Sequence, residues 1–316
     1  MSTPIMRAIQ IHSYGGAEQL KLEETPRPAA EAGEVLVRIH AAGVNPIDWQ
    51  ILAGLMKDVQ PVTFPFIPGI EVAGVVEEVG PGVAADLIGQ AVLGQIAHGA
   101  YAEYVSIPVE VLALKPKTLS FIEAAAFPVG ATLAWRALFD NAGLTSGQRI
   151  LIQGATSGVG VFAIQLAKWK GAQVIGTAST AANLDFVGAL GADMVVDNTT
   201  TLVERVVQDA DVVLHGGAAA LSSSLAALRR GGTLISNAIL GPKEQEQVQA
   251  RGVRAMTSRG RTNVSLETLT LLAAEGYLKV PVGKTFPLSE VQQAHEYAQS
   301  GQACGRFVLR VMGEIT

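Results

Sequence analysis

Along this chain the spacing of apolar positions changes near residue 120 and again near the carboxyl end. The first part holds short β-like runs at 35–40, 72–79 and 102–107, separated by Pro and Gly, which predict a compact β-rich domain. From about Ser120, alanine-rich stretches of helical spacing alternate with short all-apolar segments. That alternation predicts βαβ units and a parallel sheet covered on both faces, because a strand buried on both sides has no polar side to show. Strands are expected at 149–153, 173–177, 194–197, 212–215, 233–237 and 253–257. Ser289 followed by Gln292 has the spacing of a capping box and predicts a helix opening at Ser289. A last strand is expected at 305–311, and its texture returns the carboxyl end to the first domain. The expected fold class is α/β, with a discontinuous β-rich domain (1–119 and 284–316) and a doubly wound parallel-sheet domain (120–283).

Segment 150–171 is the richest in chemistry. An apolar strand runs into a turn containing Gly154, Gly158 and Gly160, and the helix that follows has apolar or small residues at Val159, Phe162, Ala163, Leu166 and Ala167, a stripe for packing on a sheet. Glycines let the backbone turn sharply and let a pyrophosphate approach its N–H groups, while the helix start adds partial positive charge. Thr156, Ser157, Gly158 and Val159 are candidates for that contact, together with Gly154 and Gly160. The spacing departs from G-x-G-x-x-G, since Ala155 and Ser157 replace its first two glycines in register with Gly160. A dinucleotide is the expected ligand, and a ligand-free tight turn is the alternative.

The next strand ends near Ala178, about 20 residues after the turn, where an NAD site carries Asp or Glu for the ribose hydroxyls. No carboxylate there repels a 2'-phosphate, and Ser179, Thr180 and Asn183 offer it hydrogen bonds, so NADP is the expected cofactor. No Lys or Arg lies between Lys170 and Arg205. A cation for the phosphate therefore has to come from elsewhere, with Arg251, Arg254, Arg259 and Arg261 as candidates and a solvated surface as their alternative.

Composition narrows the partners. With 316 residues, 49% of them hydrophobic and only 16% charged, the chain exceeds one ordinary core and is not disordered. A net charge of -5 argues against nucleic acid and anionic membranes and favours a small molecule. The single cysteine, Cys304, can form neither an internal disulfide nor a cysteine zinc site, and it is assigned no role. His12, His40, His98, His215 and His295 show no paired ligand spacing, so no metal is expected. The amino terminus does not look like a signal peptide and no apolar run approaches about 18 residues, so a cytoplasmic protein with no membrane span is expected.

Six blocks in order resemble the medium-chain dehydrogenase/reductase superfamily and, within it, the zinc-independent quinone oxidoreductase branch. They are Ala42-Gly-Val-Asn-Pro-Ile-Asp48, Pro68-Gly-Ile-Glu-Val-Ala-Gly74, Gly99-Ala-Tyr-Ala-Glu-Tyr-Val105, Gly154-Ala-Thr-Ser-Gly-Val-Gly160, Leu190-Gly-Ala-Asp193 and Gly305-Arg-Phe-Val-Leu309. The resemblance covers nearly the whole chain. It implies a GroES-like catalytic domain made from both chain ends, a Rossmann domain inserted between them, an active site in the cleft, and NADPH-dependent hydride transfer to a quinone or an α,β-unsaturated carbonyl. Where the zinc alcohol dehydrogenases of the superfamily place catalytic metal ligands, the matching positions look like Asn45, Ile70 and Pro128.

The resemblance also distributes roles. Asn45 would face the nicotinamide end of the cofactor with Asp48 nearby, the alternative being that both organise a turn before Pro46. Thr132 resembles the family threonine at the start of the linking helix that touches the cofactor, the alternative being an ordinary helix-start residue. Segments 213–218 and 235–239 fall where two Rossmann strands meet the cofactor, which brings in His215, Gly216 and Ala238; His215 stands where an Asp is often found, and packing is its alternative. No residue stands out as proton donor: Tyr101 is a hydroxyl candidate near the cleft, with packing in a β segment as its alternative and solvent as the other proton source. A homodimer through the Rossmann sheet edge is expected. Two further readings stay open: an NADPH-binding redox sensor without turnover, and an NAD(P)-linked alcohol dehydrogenase.

Overall fold

The computed structural model describes residues 4–216, 219–236, 239–258, 262–300 and 304–312. It divides into two units, Met1–Val129 with Leu266–Ala274 and Val280–Thr316, and Gly130–Ser265 with Glu275–Lys279.

The first unit opens with β1 (Ile5–Gln10) paired antiparallel to β2 (Lys21–Pro26). Its long strand β3 (Glu34–Val44) pairs antiparallel with both β4 (Glu71–Val79) and β6 (Tyr104–Pro108), while β5 (Ala91–Gln95) links β4 to β7 (Leu112–Leu114). Val37, Ile39, Val72, Val92 and Ile107 fill its core. Two short helices, α1 (Pro46–Leu52) and α2 (Phe121–Ala125), follow β3 and β7, and α3 (Pro128–Trp135) then carries the chain from one unit to the other.

The second unit is a parallel six-stranded sheet of β8 (Arg149–Ile152), β9 (Gln173–Ala178), β10 (Met194–Asp197), β11 (Ala210–His215), β12 (Leu228–Ser236) and β13 (Arg254–Thr257). Their order across the sheet is β10-β9-β8-β11-β12-β13. The chain therefore winds outward from β8 in one direction, then returns to β8 and winds outward in the other. This is the doubly wound order whose crevice, at the carboxyl ends of the two strands where winding reverses, receives ligands. Here those strands are β8 and β11. All six strands form where the apolar runs predict them, although β12 begins earlier, at Leu228, and Asn237 lies outside the described residues.

Helix α4 (Gly160–Trp169) departs from the expected stripe, because every residue from Gly160 to Ala167 is buried. Its other side is covered within the same unit: the Gln165 amide donates to the Lys279 carbonyl at 3.0 Å and accepts the Lys279 N–H at 2.8 Å, and Gly130 of α3 lies against the Phe162 ring. Helices α5 (Ala181–Ala189), α6 (Val203–Val206), α7 (Leu221–Ala227) and α8 (Pro242–Arg251) complete the unit.

The chain then passes through α9 (Leu266–Ala274) into β14 (Val282–Pro287), α10 (Val291–Gln299) and β15 (Arg306–Arg310). β15 pairs antiparallel with β3, Phe307 opposite Val44, so the carboxyl end completes the sheet that the amino end began. The expected capping box is not formed. Ser289 sits inside a 3-10 turn, Leu288–Glu290, whose Leu288 is buried; the helix begins two residues later, at Val291, and the Gln292 amide donates to the Leu20 carbonyl instead. Among the described residues no helix is long and apolar enough to cross a membrane.

Candidate functional site

In the second unit, the glycine turn lies at the carboxyl end of β8, at the point where winding reverses. Gly154 has φ +70°, a conformation that side chains with a Cβ rarely adopt. A Cβ on Gly160 would lie 2.3 Å from the Gly154 carbonyl oxygen, so only glycine lets α4 start this close to the strand. The turn is closed by the Ser157 N–H donating to Gly154 O and by the Gly160 N–H donating to Ser157 Oγ at 3.1 Å. The N–H groups of Thr156, Gly158 and Val159 stay outside these bonds and are available to an anion at the start of a buried helix.

Beside it, β11 ends at His215, and Gly216 packs against the Gln153 carbonyl. Ser224 donates its hydroxyl to Gln153 Oε1 at 2.6 Å, and His215 Nδ1 lies 2.9 Å from Ser224 Oγ. With the serine proton committed to Gln153, His215 Nδ1 is the donor in that bond, and Nε2 keeps its lone pair. Burial lowers the His215 pKa, which keeps the ring neutral. His215 is thus held by packing partners at the edge of the crevice. Ala238 lies outside the described residues.

At the end of β9, Ala178 is buried, Ser179 and Thr180 are exposed and Asn183 is half-buried. Thr180 caps α5, its Oγ1 accepting the Asn183 N–H at 3.2 Å. Two of the arginines considered as phosphate clamps are elsewhere. Arg254, the first residue of β13, pairs with Thr233 three residues before the crevice end of β12 and donates to its hydroxyl, while Arg251 donates to the carbonyls of Leu225, Ala226 and, at the start of β12, Leu228. Both are therefore engaged at the amino ends of parallel strands, the wrong end of the sheet for a ligand in the crevice. Arg259 and Arg261 lie outside the described residues. Thr132 is the fifth residue of α3, not its opening residue, and is half-buried.

The first unit concentrates its buried polar groups around Asn45. This residue precedes α1, and Asp48, three residues on, accepts its backbone N–H at 2.8 Å. The Asn45 carboxamide is fixed from both ends, donating from Nδ2 to Glu71 Oε2 at 2.9 Å and accepting at Oδ1 from Arg306 at 3.0 Å. Glu71 and Arg306 also form a direct ion pair, Arg306 donates to the Ala126 carbonyl, and Glu71 accepts the Val129 N–H. Burial raises the Glu71 pKa, and the Arg306 guanidinium opposes that shift.

Asp48 joins this cluster to a second one. Its Oδ2 also accepts the Tyr101 hydroxyl at 2.9 Å, and the same hydroxyl oxygen lies 3.2 Å from His295 Nε2. Burial pushes Asp48 up to about 7 against the hydrogen bonds from Asn45 and Tyr101, and holds His295 down at about 4. Tyr101 is raised well above the usual phenol value by burial and by the neighbouring Asp48 charge, so it stays protonated.

Asn45, Asp48 and Tyr101 thus come together in the first unit. Glu71, Arg306 and His295 were not singled out as site residues. Glu71 and Arg306 each lie inside a quoted motif, and a charged residue within an otherwise apolar strand is the signal for a buried pair. Two open cavities of about 410 and 440 Å³ occur elsewhere, one beside Leu112 and Leu271 in the first unit and one beside Trp169 and Tyr277 in the second; neither is lined by a residue of these clusters.

Two family models match the chain: an alcohol dehydrogenase GroES-like domain over residues 31–117 and a zinc-binding dehydrogenase over residues 190–309. Among the described residues no group of three or more His, Cys, Asp or Glu is arranged to hold a metal ion. A quinone-oxidoreductase homolog of spinach chloroplasts, from Spinacia oleracea, is 34% identical over 98% of this chain and 99% of its own length. The 2-methylene-furan-3-one reductase of Solanum lycopersicum is 32% identical over 96% of this chain and 79% of its own. Among solved structures, the quinone oxidoreductase from Coxiella burnetii matches with a TM-score of 0.87 and 32% identity, covering 98% of this chain and 100% of that one. An NAD-dependent alcohol dehydrogenase matches with a TM-score of 0.89 and 32% identity, covering 97% and 100%. Fold, motifs and these likenesses agree over nearly the full length: the chain belongs to the medium-chain dehydrogenase/reductase superfamily, in its quinone oxidoreductase branch.

Proposed function

We propose that this protein is an NADPH-dependent reductase that passes hydride to a quinone or an α,β-unsaturated carbonyl. The observation that supports this most directly is the glycine turn at the reversal point of the doubly wound sheet, with N–H groups free to bind a pyrophosphate. When bound, a nicotinamide dinucleotide supplies the hydride. In this reading Thr156, Gly158 and Val159 hold its pyrophosphate through their N–H groups. Gly216 and His215 border the crevice beyond, and Ala178 leaves space without negative charge for the 2'-phosphate, toward which Ser179, Thr180 and Asn183 offer neutral hydrogen bonds.

Asn45 is given the orienting role. Its amide nitrogen spends one hydrogen on Glu71 and its oxygen one lone pair on Arg306, so one donor and one acceptor remain in a fixed direction. Such fixed dipoles need no reorganisation when charge develops on a reacting group. A quinone or enone suits this equipment, since hydride addition at carbon spreads the charge onto a conjugated oxygen without a metal to stabilise an isolated alkoxide.

The fold likeness to an alcohol dehydrogenase keeps one other reading in play, NAD(P)-linked alcohol oxidation. Against it stand Asn45, Ile70 and Pro128, at the positions that look like the catalytic metal ligands of the zinc enzymes. The test is to follow NADPH and NADH oxidation with 9,10-phenanthrenequinone and a short enone, beside alcohol-dependent reduction of NADP and NAD, on metal-stripped protein. Consumption of NADPH with either acceptor supports the proposal. Faster turnover of alcohols overturns it, equal dissociation constants for NADPH and NADH remove the cofactor preference, and tight binding with no turnover favours a redox sensor.

A further inference from the structure

Every reduction of the proposed kind consumes a proton as well as a hydride. Asp48, Tyr101 and His295 meet inside the first unit, all three buried. Tyr101 is the centre, its hydroxyl 2.9 Å from Asp48 Oδ2 and 3.2 Å from His295 Nε2. At the two ends of this row, Asp48 Oδ1 and His295 Nδ1 are buried and have no hydrogen-bond partner. Buried polar atoms without partners are rare enough in folded proteins to call for an explanation.

Counting protons shows what a row with unpartnered ends can carry. A tyrosine hydroxyl has one proton to give and lone pairs to accept, and a neutral imidazole carries its proton on one nitrogen only. Among the arrangements that satisfy both inner hydrogen bonds, two differ by the passage of one proton along the whole row. In the first, Asp48 is ionised and accepts from Tyr101, whose oxygen accepts from His295 Nε2–H; Nδ1 is bare. In the second, the carboxyl of Asp48 donates from Oδ2 to the Tyr101 oxygen, Tyr101 donates to His295 Nε2, and Nδ1 carries the proton. The second holds one proton more than the first. To pass between them, a proton binds at Nδ1, the Nε2 proton moves to Tyr101, and the Tyr101 proton moves to Asp48, each crossing one existing hydrogen bond.

We propose that Asp48, Tyr101 and His295 form a proton wire that stores one proton on Asp48 and releases it at Nδ1 of His295. Its use, as the proton that completes reduction of the acceptor, rests on the reductase reading above.

The surroundings suit the task. Burial is the main cause that brings Asp48 to about 7, so the stored proton is exchangeable near neutrality; Glu71 adds to the rise, and Arg306 and the Asn45 and Tyr101 hydrogen bonds oppose it. His295, held at about 4 by burial, makes T-shaped ring contacts with Tyr101 and Trp49, and no described carboxylate acts on it to stabilise an imidazolium. The ring therefore passes a proton without keeping a charge. Oδ2 of Asp48 accepts the Asn45 N–H and keeps a lone pair for it when protonated, so the cap of α1 weakens without losing its partner when the wire changes state.

Nitrogen-15 spectra of histidine-labelled full-length protein test this, with the His295 signals assigned by H295Q. Between about pH 5 and about pH 9 His295 should stay neutral and move its proton from Nε2 at high pH to Nδ1 at low pH, with a midpoint near that of Asp48. D48N keeps an acceptor for Asn45 and Tyr101 but no titrating proton, and should lock the Nε2–H form at every pH; Y101F should uncouple His295 from the titration of Asp48. A single tautomer throughout, an imidazolium appearing near the ordinary histidine value, or a switch that survives in D48N overturns the wire. Turnover is read separately. In wild type, kcat with NADPH and an enone should fall as pH rises past the switch, and D48N should lower kcat with little change in KM and remove that inflection. A tautomer switch without turnover of any acceptor leaves the wire standing and defeats the reductase reading; turnover without the switch does the reverse. A switch with kcat unchanged in D48N removes the wire's role in catalysis.

Discussion

Replacing Arg306 with Met tests the reasoning about the buried cluster most severely. Arg306 is 4% exposed and Glu71 fully buried, so no solvent takes over when the guanidinium is removed. Met fills much of the volume but leaves the Glu71 carboxylate without its counter-charge, and the Ala126 carbonyl and Asn45 Oδ1 without their donor. Breaking a buried pair from one side typically costs about 3–5 kcal/mol, mainly because the remaining charge is uncompensated. In a domain of this size that corresponds to a fall in thermal midpoint of roughly 6–20 °C.

The cost should depend on pH, with a definite sign. Burial already raises Glu71, and removing Arg306 takes away the main opposing cause, so its pKa in R306M rises further. The folded variant then keeps a proton that the unfolded chain releases, and folding is favoured by low pH. R306M should lose stability relative to wild type as pH climbs from the already raised wild-type value of Glu71 toward the still higher one in the variant, by at most about 1.4 kcal/mol per pH unit. Urea unfolding at a mildly acidic and a mildly basic pH reads the difference directly. Adding E71Q to R306M removes the stranded charge and should recover most of the loss at basic pH. A variant within about 1 kcal/mol of wild type at basic pH, or a double variant no better than the single one, refutes the account of an uncompensated carboxylate.

Further outcomes follow from single contacts. G160A drives a methyl group into the Gly154 carbonyl and should weaken NADPH binding by about tenfold or more while leaving the first unit's unfolding unchanged, read by calorimetric titration and thermal melting. D48N should gain stability relative to wild type between about pH 4 and pH 7, on the order of 3 kcal/mol, because the folded wild type holds a proton that the unfolded chain gives up; a difference that shrinks as pH rises over that window contradicts the raised pKa. S224A removes the acceptor that fixes His215 and should cost about 1–3 kcal/mol in urea unfolding. Light scattering at micromolar concentration should give the mass of a dimer, in line with an exposed edge strand at β13.

The second unit was legible because its signals are local. A strand buried on both faces has to be apolar along its length, so β9 to β11 stand out as short apolar runs, and the glycine turn announces the junction of β8 with α4. The first unit's cluster was not legible from spacing. Asn45 meets Glu71 across 26 positions, Arg306 across 261, and Tyr101 meets His295 across 194. Only the pairing of β3 with β4 on one side and β15 on the other brings the first three together, and that register is a property of the folded sheet. The capping-box expectation failed for a related reason: Ser289 and Gln292 have the right spacing, but burial of Leu288 and the bond from Gln292 to Leu20 decide where the helix starts.

Sheet register also bears on cofactor choice. In a parallel sheet all strands point the same way, so position along a strand decides whether a side chain can reach the ligand crevice. Thr233 and Arg254 are level with Val212 and Ile150, three residues short of the crevice end, whereas Ser236 and Thr257 are level with His215 at that end. Arg251 and Arg254 therefore cannot neutralise a 2'-phosphate beside Ala178, however favourable their charge looks in the sequence. The proposed preference for NADPH then rests on the absence of a carboxylate at Ala178 and on neutral donors at Ser179, Thr180 and Asn183, with Thr180 already accepting a bond as the cap of α5. A hydrogen bond to a charged group contributes about 1.5–3 kcal/mol, so a single one gives a preference of roughly ten- to 150-fold, without the strong salt dependence of a phosphate held by arginines. A cofactor preference that collapses with added salt would point to a cation and away from this arrangement.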